Sequence, residues 1–223
     1  MIRPQRRRAT HEDSALGEQP LILVVDDDES VRTALQELLE TVGIESIGFS
    51  STRELLEFDM PDRPGCLILD VRLPGSSGLD FHGRLAASGD YKPVVFLTGH
   101  GDIPMTVRAM KAGAIDFLTK PVRDQTLLDA VYAAIEKDIS QRAAARTVKK
   151  HAERLATLTP RERQVFREVA RGRLNKQIAF DLGISEVTVK LHRGSVMRKM
   201  NTASAGELVR AWDALPEDLR GHP

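Results

Sequence analysis

Cysteine is almost absent. Cys66 is alone in 223 residues, so the chain can build no internal disulfide. Its place inside an apolar run makes it a core residue of a reduced, cytoplasmic protein. No apolar run approaches the ~18 residues of a membrane span. The opening segment carries Arg3, Arg6, Arg7 and Arg8 with no apolar stretch behind them. That reads as a basic, solvated tail over residues 1–19 rather than a secretory signal. Net charge is lacking too, at +0, yet the zero averages two unlike halves. Residues 21–124 hold about 17 acidic and 10 basic side chains, whereas 142–223 hold about 9 and 17. This asymmetry predicts one half that works with cations and another that meets a polyanion. The length suits two domains of roughly 100 residues each.

Short apolar runs punctuate the acidic half: Leu21–Val25, Ile44–Phe49, Cys66–Leu69, Val94–Leu97 and Ile115–Thr119. Rich in Val, Ile and Leu and alternating with helical stretches, they read as buried strands of a parallel sheet. Between them, Asp28-Glu29-Ser30 opens a helix that stops at Gly43, and Ser50-Ser51 caps a short one. The turn-rich loop Arg72–Gly78 ends the third strand, and Asp102-Ile103-Pro104 starts another helix. The prediction is an α/β domain with a doubly wound, five-stranded parallel sheet.

The strand ends carry the chemistry. Asp26, Asp27, Asp70, Thr98 and Lys120 each fall at or just past a strand's carboxyl end, where ligands of such sheets bind. Asp26, Asp27 and Asp70 offer the oxygen ligands that Mg²⁺ takes. Asp70 ends the central strand and is the candidate acceptor of a phosphoryl group, as an aspartyl phosphate. Lys120 can neutralise one phosphoryl oxygen and the Thr98 hydroxyl can bond another.

This pattern over residues 21 to about 140 resembles the receiver domain of two-component response regulators, with its flavodoxin-like fold. The acidic pair Asp26-Asp27, Asp70, Thr98, Phe117 three places before the lysine, and Lys120-Pro121 carry the resemblance. The run Thr98–Asp102 with Ala109–Ala114 is similar to the FixJ type. The resemblance implies that a sensor histidine kinase donates phosphate to Asp70. It also implies that the backbone carbonyl of Arg72 completes the Mg²⁺ shell, that Thr98 and Phe117 move as switch residues, and that Lys120-Pro121 is cis. Catalysis would then be confined to the domain's own phosphoryl transfer and dephosphorylation. Asp26–Ser30 also fits, loosely, the nucleophile motif of haloacid-dehalogenase-like phosphatases. That reading has Ser30 in place of Thr or Val, lacks an acidic pair after Lys120, and leaves Asp70 without a role.

From Asp124 to Thr157 there is neither Gly nor Pro, and strong helix formers dominate. Leu127, Leu128, Val131, Ala134, Ile135 and Ile139 keep one apolar face, which thins beyond Ser140. A helical linker over 140–154 follows, either one long helix with a weak dimer seam or a solvated spacer. The spacer is favoured, because small residues stand where a stable coiled coil wants Leu or Ile.

In the basic half, Thr159-Pro160-Arg161-Glu162 is a helix start. Asn175–Leu182, the turn at Gly183 and a third helix capped by Ser185 describe a helix-turn-helix. Val187, Val189, Val196 and Met200 are expected inward, and a fourth helix over Ala205–Trp212 closes an all-α unit. Leu158-Thr159, Glu162, Gly172, Asn175-Lys176, Ile178-Ala179, Leu182, Ile184-Ser185, Thr188-Val189-Lys190, His192 and Lys199-Met200 together resemble the LuxR-type DNA-binding domain of the NarL/FixJ family, over residues 155 to about 215. The expected base contacts are Lys190, Leu191 and Arg193, with Thr188 near the helix start. Lys176, Arg198 and Lys199 are expected at phosphates. Gly194 stands where the family often has a polar or basic residue, and His192 has no companions at metal-ligand spacing.

Together these readings predict a phosphorylation-activated transcriptional regulator with domains at 20–139 and 155–223. Its expected partners are a sensor histidine kinase, double-stranded promoter DNA, a second copy of itself and RNA polymerase, with no membrane. The alternative is a phosphorelay or phosphate-sink receiver whose C-terminal domain makes protein contacts.

Overall fold

The computed structural model describes residues 19–88 and 92–220, so the arginine-rich tail lies outside the described residues. The chain divides into two compact units, 1–141 and 142–223.

In the first unit, strands β1 (Leu21–Val25), β2 (Glu45–Phe49), β3 (Gly65–Leu69), β6 (Val94–Thr98) and β7 (Asp116–Thr119) form one sheet. Its order is β2-β1-β3-β6-β7 and every pairing is parallel. In register, Val25 faces Phe49 on one side and Leu69 on the other, which sets the ends of β1 and β3 level. Helices α1 (Glu29–Thr41), α2 (Thr52–Glu57), α3 (Gly78–Ser88), α4 (Ile103–Lys111) and α5 (Asp124–Ala156) fill the connections. This is the doubly wound α/β fold expected from the alternation of apolar runs and helices.

Side chains of a strand alternate between faces, and the two cores follow that rule. Ile22, Val24, Cys66, Ile68, Val95 and Leu97 pack with Leu35 and Leu39 of α1 and Leu127, Val131 and Ala134 of α5. Leu21, Leu23, Val25, Leu67, Leu69 and Phe96 pack on the other face with Leu55 of α2, Phe81 of α3 and Ala109 of α4. Each large side chain so buried is worth about 1.5–3 kcal/mol. Both faces of every central strand are covered, which explains their unbroken hydrophobicity. One local feature differs from expectation. The loop after Asp70 contains a small antiparallel hairpin of β4 (Arg72–Leu73) and β5 (Ser76–Ser77). Pro74 and Gly75 make its two-residue turn, so the turn signal was real but sits inside a hairpin.

Helix α5 is unbroken over 33 residues. Asp138 anchors it to the sheet, its Oδ2 accepting the Gly65 N–H at 2.9 Å. Its last turns belong to the second unit, where Leu155 and Ala152 join the core of helices α6 (Pro160–Ala170), α7 (Asn175–Leu182), α8 (Glu186–Met200) and α9 (Ala205–Asp213). Phe166 and Trp212 stack edge-on there, with centroids 4.9 Å apart. A further short helix, α10 (Glu217–Arg220), was not anticipated. Thr159 caps α6 in a reciprocal capping box with Glu162, as the spacing predicted. Gly183 ends α7 in the left-handed region at φ 61°, the turn that lets α8 cross α7. Ser185 then caps α8 through the Thr188 N–H.

Candidate functional site

Strand order reverses between β2-β1 and β3-β6, and the crevice at that point lies beyond the ends of β1 and β3. Asp26 and Asp27 follow β1, and Asp70 follows β3. One carboxylate oxygen from each lies within 4.8 Å of the other two. Asp26 and Asp70 are buried and Asp27 is exposed, so the cluster opens to solvent on one side. The Lys120 side chain is 21 % exposed, and its Nζ bridges the buried pair, touching Asp26 Oδ2 and standing 2.9 Å from Asp70 Oδ2.

Backbone holds these groups in place. Asp28 caps α1 by accepting the Ser30 and Val31 N–H groups. That turn brings the Asp28 N–H to Asp26 Oδ1 at 3.1 Å. Arg32, one turn into α1, donates from Nη1 to the Asp26 carbonyl at 2.7 Å. The Arg72 N–H donates to Asp70 Oδ1 at 3.0 Å, which leaves Oδ2 toward Lys120. Helix α3 starts against Asp70 only because residue 78 is Gly, since a Cβ there would fall 2.1 Å from the Asp70 carbonyl oxygen. Arg32 and Gly78 escaped the sequence reading. A helix-face arginine and one more glycine in a turn carry no signal of what they touch.

The electrostatics suit a cationic visitor. Burial pushes the Asp26 carboxyl above its ordinary value, against the opposing pull of Lys120. Burial also acts to lower the Lys120 ammonium, but Asp26 and Asp70 outweigh it and hold that group above its usual range. One ammonium thus serves a cluster of three carboxylates, leaving a net negative charge in a partly enclosed place. Hard oxygen donors at this mutual distance, with one face open for water and phosphate oxygens, fit Mg²⁺.

Thr98 ends β6 fully buried, and its Oγ1 accepts the His100 N–H at 3.4 Å. Its carbonyl accepts the Lys120 N–H at 2.8 Å, joining the ends of β6 and β7. The Lys120-Pro121 peptide is cis. Phe117 is half-buried, its ring 6.0 Å from that of Phe96. The loop from Thr98 touches the same ring, because a Cβ at Gly101 would lie 2.8 Å from Phe117 Cε1. The structure therefore brings Asp26, Asp27, Asp70 and Lys120 together, and links Thr98 to Phe117 through the loop between them.

In the second unit the outward face of α8 is formed by Val187, Lys190, Leu191, Gly194 and Arg198, all exposed. Val187 was expected inward but is 66 % exposed. The inward row runs instead through Val189, Val196 and Met200, and position 187 falls on the opposite side of the helix. Lys176 is exposed on α7. Three expected contacts are engaged within the protein. The Thr188 hydroxyl lies 2.8 Å from Ser185 Oγ at the cap. Arg193 is half-buried and donates from Nη1 to Asn175 Oδ1 at 2.7 Å, tying α8 to the start of α7. Lys199 donates to Glu162 Oε2 at 2.6 Å and to the Thr157 carbonyl at 3.2 Å, which makes it a strut under the α6 capping box rather than a free cation. Lysine near a helix C-terminus looks alike in sequence whether it meets a phosphate or a carboxylate.

An acidic crevice with a bridging lysine on a doubly wound sheet, followed by a helix-turn-helix unit, defines a response regulator. Comparison with known proteins agrees. Residues 22–132 match the response regulator receiver domain and residues 156–212 match the bacterial regulatory proteins of the luxR family. Nodulation protein W of Bradyrhizobium diazoefficiens is 53% identical over 87% of this chain and 86% of its own length. Response regulator protein TodT of Pseudomonas putida is 46% identical over 89% of this chain and 88% of its own. Among solved structures, response regulator StyR superposes with a TM-score of 0.76 at 47% identity, covering 87% of this chain and 98% of that one. The chain belongs to the FixJ type of response regulators, transcriptional regulators that pair a receiver with a LuxR-type DNA-binding domain. Among the described residues no helix is long and apolar enough to cross a membrane.

Proposed function

We propose that the chain is a cytoplasmic regulator switched by phosphorylation of Asp70. The bridge from Lys120 Nζ to Asp26 and Asp70 beside Asp27 is the observation that carries this reading. A sensor histidine kinase presents a phosphohistidine at the crevice. Asp70 attacks phosphorus, the P–N bond breaks as a P–O bond to the carboxylate forms, and the electron pair stays with the imidazole. Lys120 exchanges its Asp70 partner for a phosphoryl oxygen, and Thr98 turns its hydroxyl from the His100 N–H toward another. Asp26, Asp27, Asp70 and the Arg72 carbonyl would hold Mg²⁺, which when bound neutralises charge on the transferring group. The same site admits the water that later hydrolyses the acyl phosphate, and its chemistry is confined to this phosphoryl transfer and dephosphorylation.

Movement of Thr98 draws the loop to Gly101 and with it Phe117, so the event at Asp70 reaches the face of α4, β7 and α5. That face carries Ile103, Val107, Met110 and Tyr132, all substantially exposed. It is the proposed dimer surface of a receiver spanning 20–139, joined through 140–154 to a DNA-binding domain at 155–223. Paired domains bind promoter DNA and present it to RNA polymerase. Lys190 and Leu191 read bases, with Thr188 at the helix start and Arg193 steadied by Asn175. Lys176 and Arg198 meet phosphates.

The test is acetyl phosphate with Mg²⁺, followed by intact mass and by binding to duplex DNA. The expected result is one added phosphoryl group in the wild type and none in Asp70→Asn, with DNA affinity rising only in the former. A phosphorylated chain indifferent to DNA would favour a relay role instead.

A further inference from the structure

The recognition helix carries two large apolar side chains in water, Val187 at 66 % and Leu191 at 69 % exposure. They stand four residues apart, and Gly194 continues the row at the next turn. Both side chains lie outside the buried core of the second unit. Glycine in the interior of α8 weakens the helix relative to alanine. Nothing among the described residues requires it, because a Cβ built at Gly194 meets no atom within 4 Å beyond its own stretch of helix backbone. Lys190 and Arg198 flank the row and Lys176 stands on α7, all exposed, so the surface around this uncharged lane invites a polyanion rather than an apolar protein.

We infer that Val187, Leu191 and Gly194 form a lane that lies close against thymine methyl groups in the major groove. The 5-methyl is the one apolar group a base pair presents there, and aliphatic contact is how it is read. Val187 and Leu191 supply that contact near the N-terminal half of α8, the part of such helices that meets base edges. Gly194 removes the side chain that would hold the helix off the groove, a use of glycine for close backbone approach. The chain then gains specificity for thymine where a polar residue at 194 would have offered a hydrogen bond. This rests on the DNA-reading role proposed above.

The test uses the full chain, activated with beryllofluoride, to enrich duplexes from a random core of about 20 bp. The enriched duplex is then remade with uracil for thymine, which removes methyls and leaves the pairing edges unchanged. The wild type should lose about fourfold in affinity for each contacted methyl, the worth of one buried CH₂ group. Val187→Ala/Leu191→Ala, at exposed sites that leave the fold intact, should bind both duplexes equally. Gly194→Ala should raise the melting temperature of the second unit yet weaken binding about tenfold or more, as overpacking at a close contact does. Equal wild-type affinity for the two duplexes, or Gly194→Ala without effect on affinity, overturns the inference and leaves the regulator a DNA-binding protein. No enrichment of any sequence overturns the DNA-reading role itself, and this inference with it.

Discussion

The Nζ of Lys199, at the end of α8, lies 2.6 Å from Oε2 of Glu162 in the first turn of α6. The same carboxylate closes the capping box on the Thr159 N–H at 2.8 Å. One carboxylate thereby serves a helix start and an interhelical tie at once, and Glu162 is nearly enclosed while doing so.

Removing the ammonium should therefore act on stability. Lys199→Met leaves a largely buried carboxylate without its strongest partner and should cost the second unit about 1–2 kcal/mol. The hydrogen bond from Lys199 also holds the Glu162 carboxyl below its ordinary range, in spite of opposing desolvation. A depressed carboxyl stabilises the fold above the unfolded value of about 4.3, and that contribution is lost as pH falls through the lower folded value. Calorimetry of wild type and Lys199→Met between neutral pH and acid is the check. The gap between the two should narrow only in acid, and a constant gap would remove Glu162 from the account.

Charge at the crevice makes a second prediction. Mg²⁺ should raise the receiver's melting temperature, by the equivalent of about 2.7 kcal/mol at a hundredfold its Kd. Asp26→Asn/Asp27→Asn should abolish the response and slow phosphorylation by acetyl phosphate. Asp26→Asn alone should raise the melting temperature of the metal-free chain at neutral pH. Burial holds the Asp26 carboxyl above its usual value, so the folded state loses stability as pH rises through that titration, and an amide escapes the cost. A metal-free Asp26→Asn chain that melts lower would show that the bond to Lys120 outweighs desolvation.

The exposed face of α4 predicts the oligomeric switch. Ile103 is 81 % exposed at the start of the helix, where charge costs the monomer nothing. The wild type should sediment as a monomer without beryllofluoride and as a dimer with it. Ile103→Glu should remain monomeric in both conditions while keeping its acetyl-phosphate labelling rate. A shift from 1:99 to 99:1 in favour of the active state needs about 5.5 kcal/mol of differential stabilisation, so partial dimerisation at micromolar protein is also informative about the strength of the switch. Labelled protein that never dimerises would assign activation elsewhere.

Much of this was legible in the chain. Strand ends declare themselves where an apolar run meets Asp, Thr or Lys, and a parallel sheet then gathers them without further information. Asp26, Asp70 and Lys120 converged for that reason. Caps were equally readable at Thr159 and Ser185, since capping is decided within four residues. What escaped depends on neighbours far along the chain. Nothing local separates Lys199, folded onto Glu162, from Arg198, left in water, and nothing local shows that Asn175 holds Arg193. Val187 misled for a different reason. An apolar residue on an amphipathic helix normally faces the core, and here position 187 follows the row of Leu191 and Gly194 on the outer side.

The division of labour among cations on α7 and α8 gives the last prediction. Lys190 stands exposed at the centre of the outer face of α8, so it should read a base. Lys190→Ala should cost about 1–3 kcal/mol on the preferred duplex and relax preference at one or two positions. Lys176 and Arg198 flank that face and should touch phosphates. Alanine at either should weaken binding to preferred and scrambled duplexes alike and lower the salt slope by about one unit, because one fewer counterion is released. Lys199→Ala should leave the slope unchanged, since its ammonium is already neutralised by Glu162. Arg193 should fall between these classes. Its tie to Asn175 at 2.7 Å fixes the guanidinium, so Asn175→Ala should loosen base preference without altering the slope. Fluorescence anisotropy of beryllofluoride-activated variants over a salt series separates these four patterns. A slope that fell with Lys199→Ala as it does with Arg198→Ala would show that the Glu162 strut opens when DNA binds.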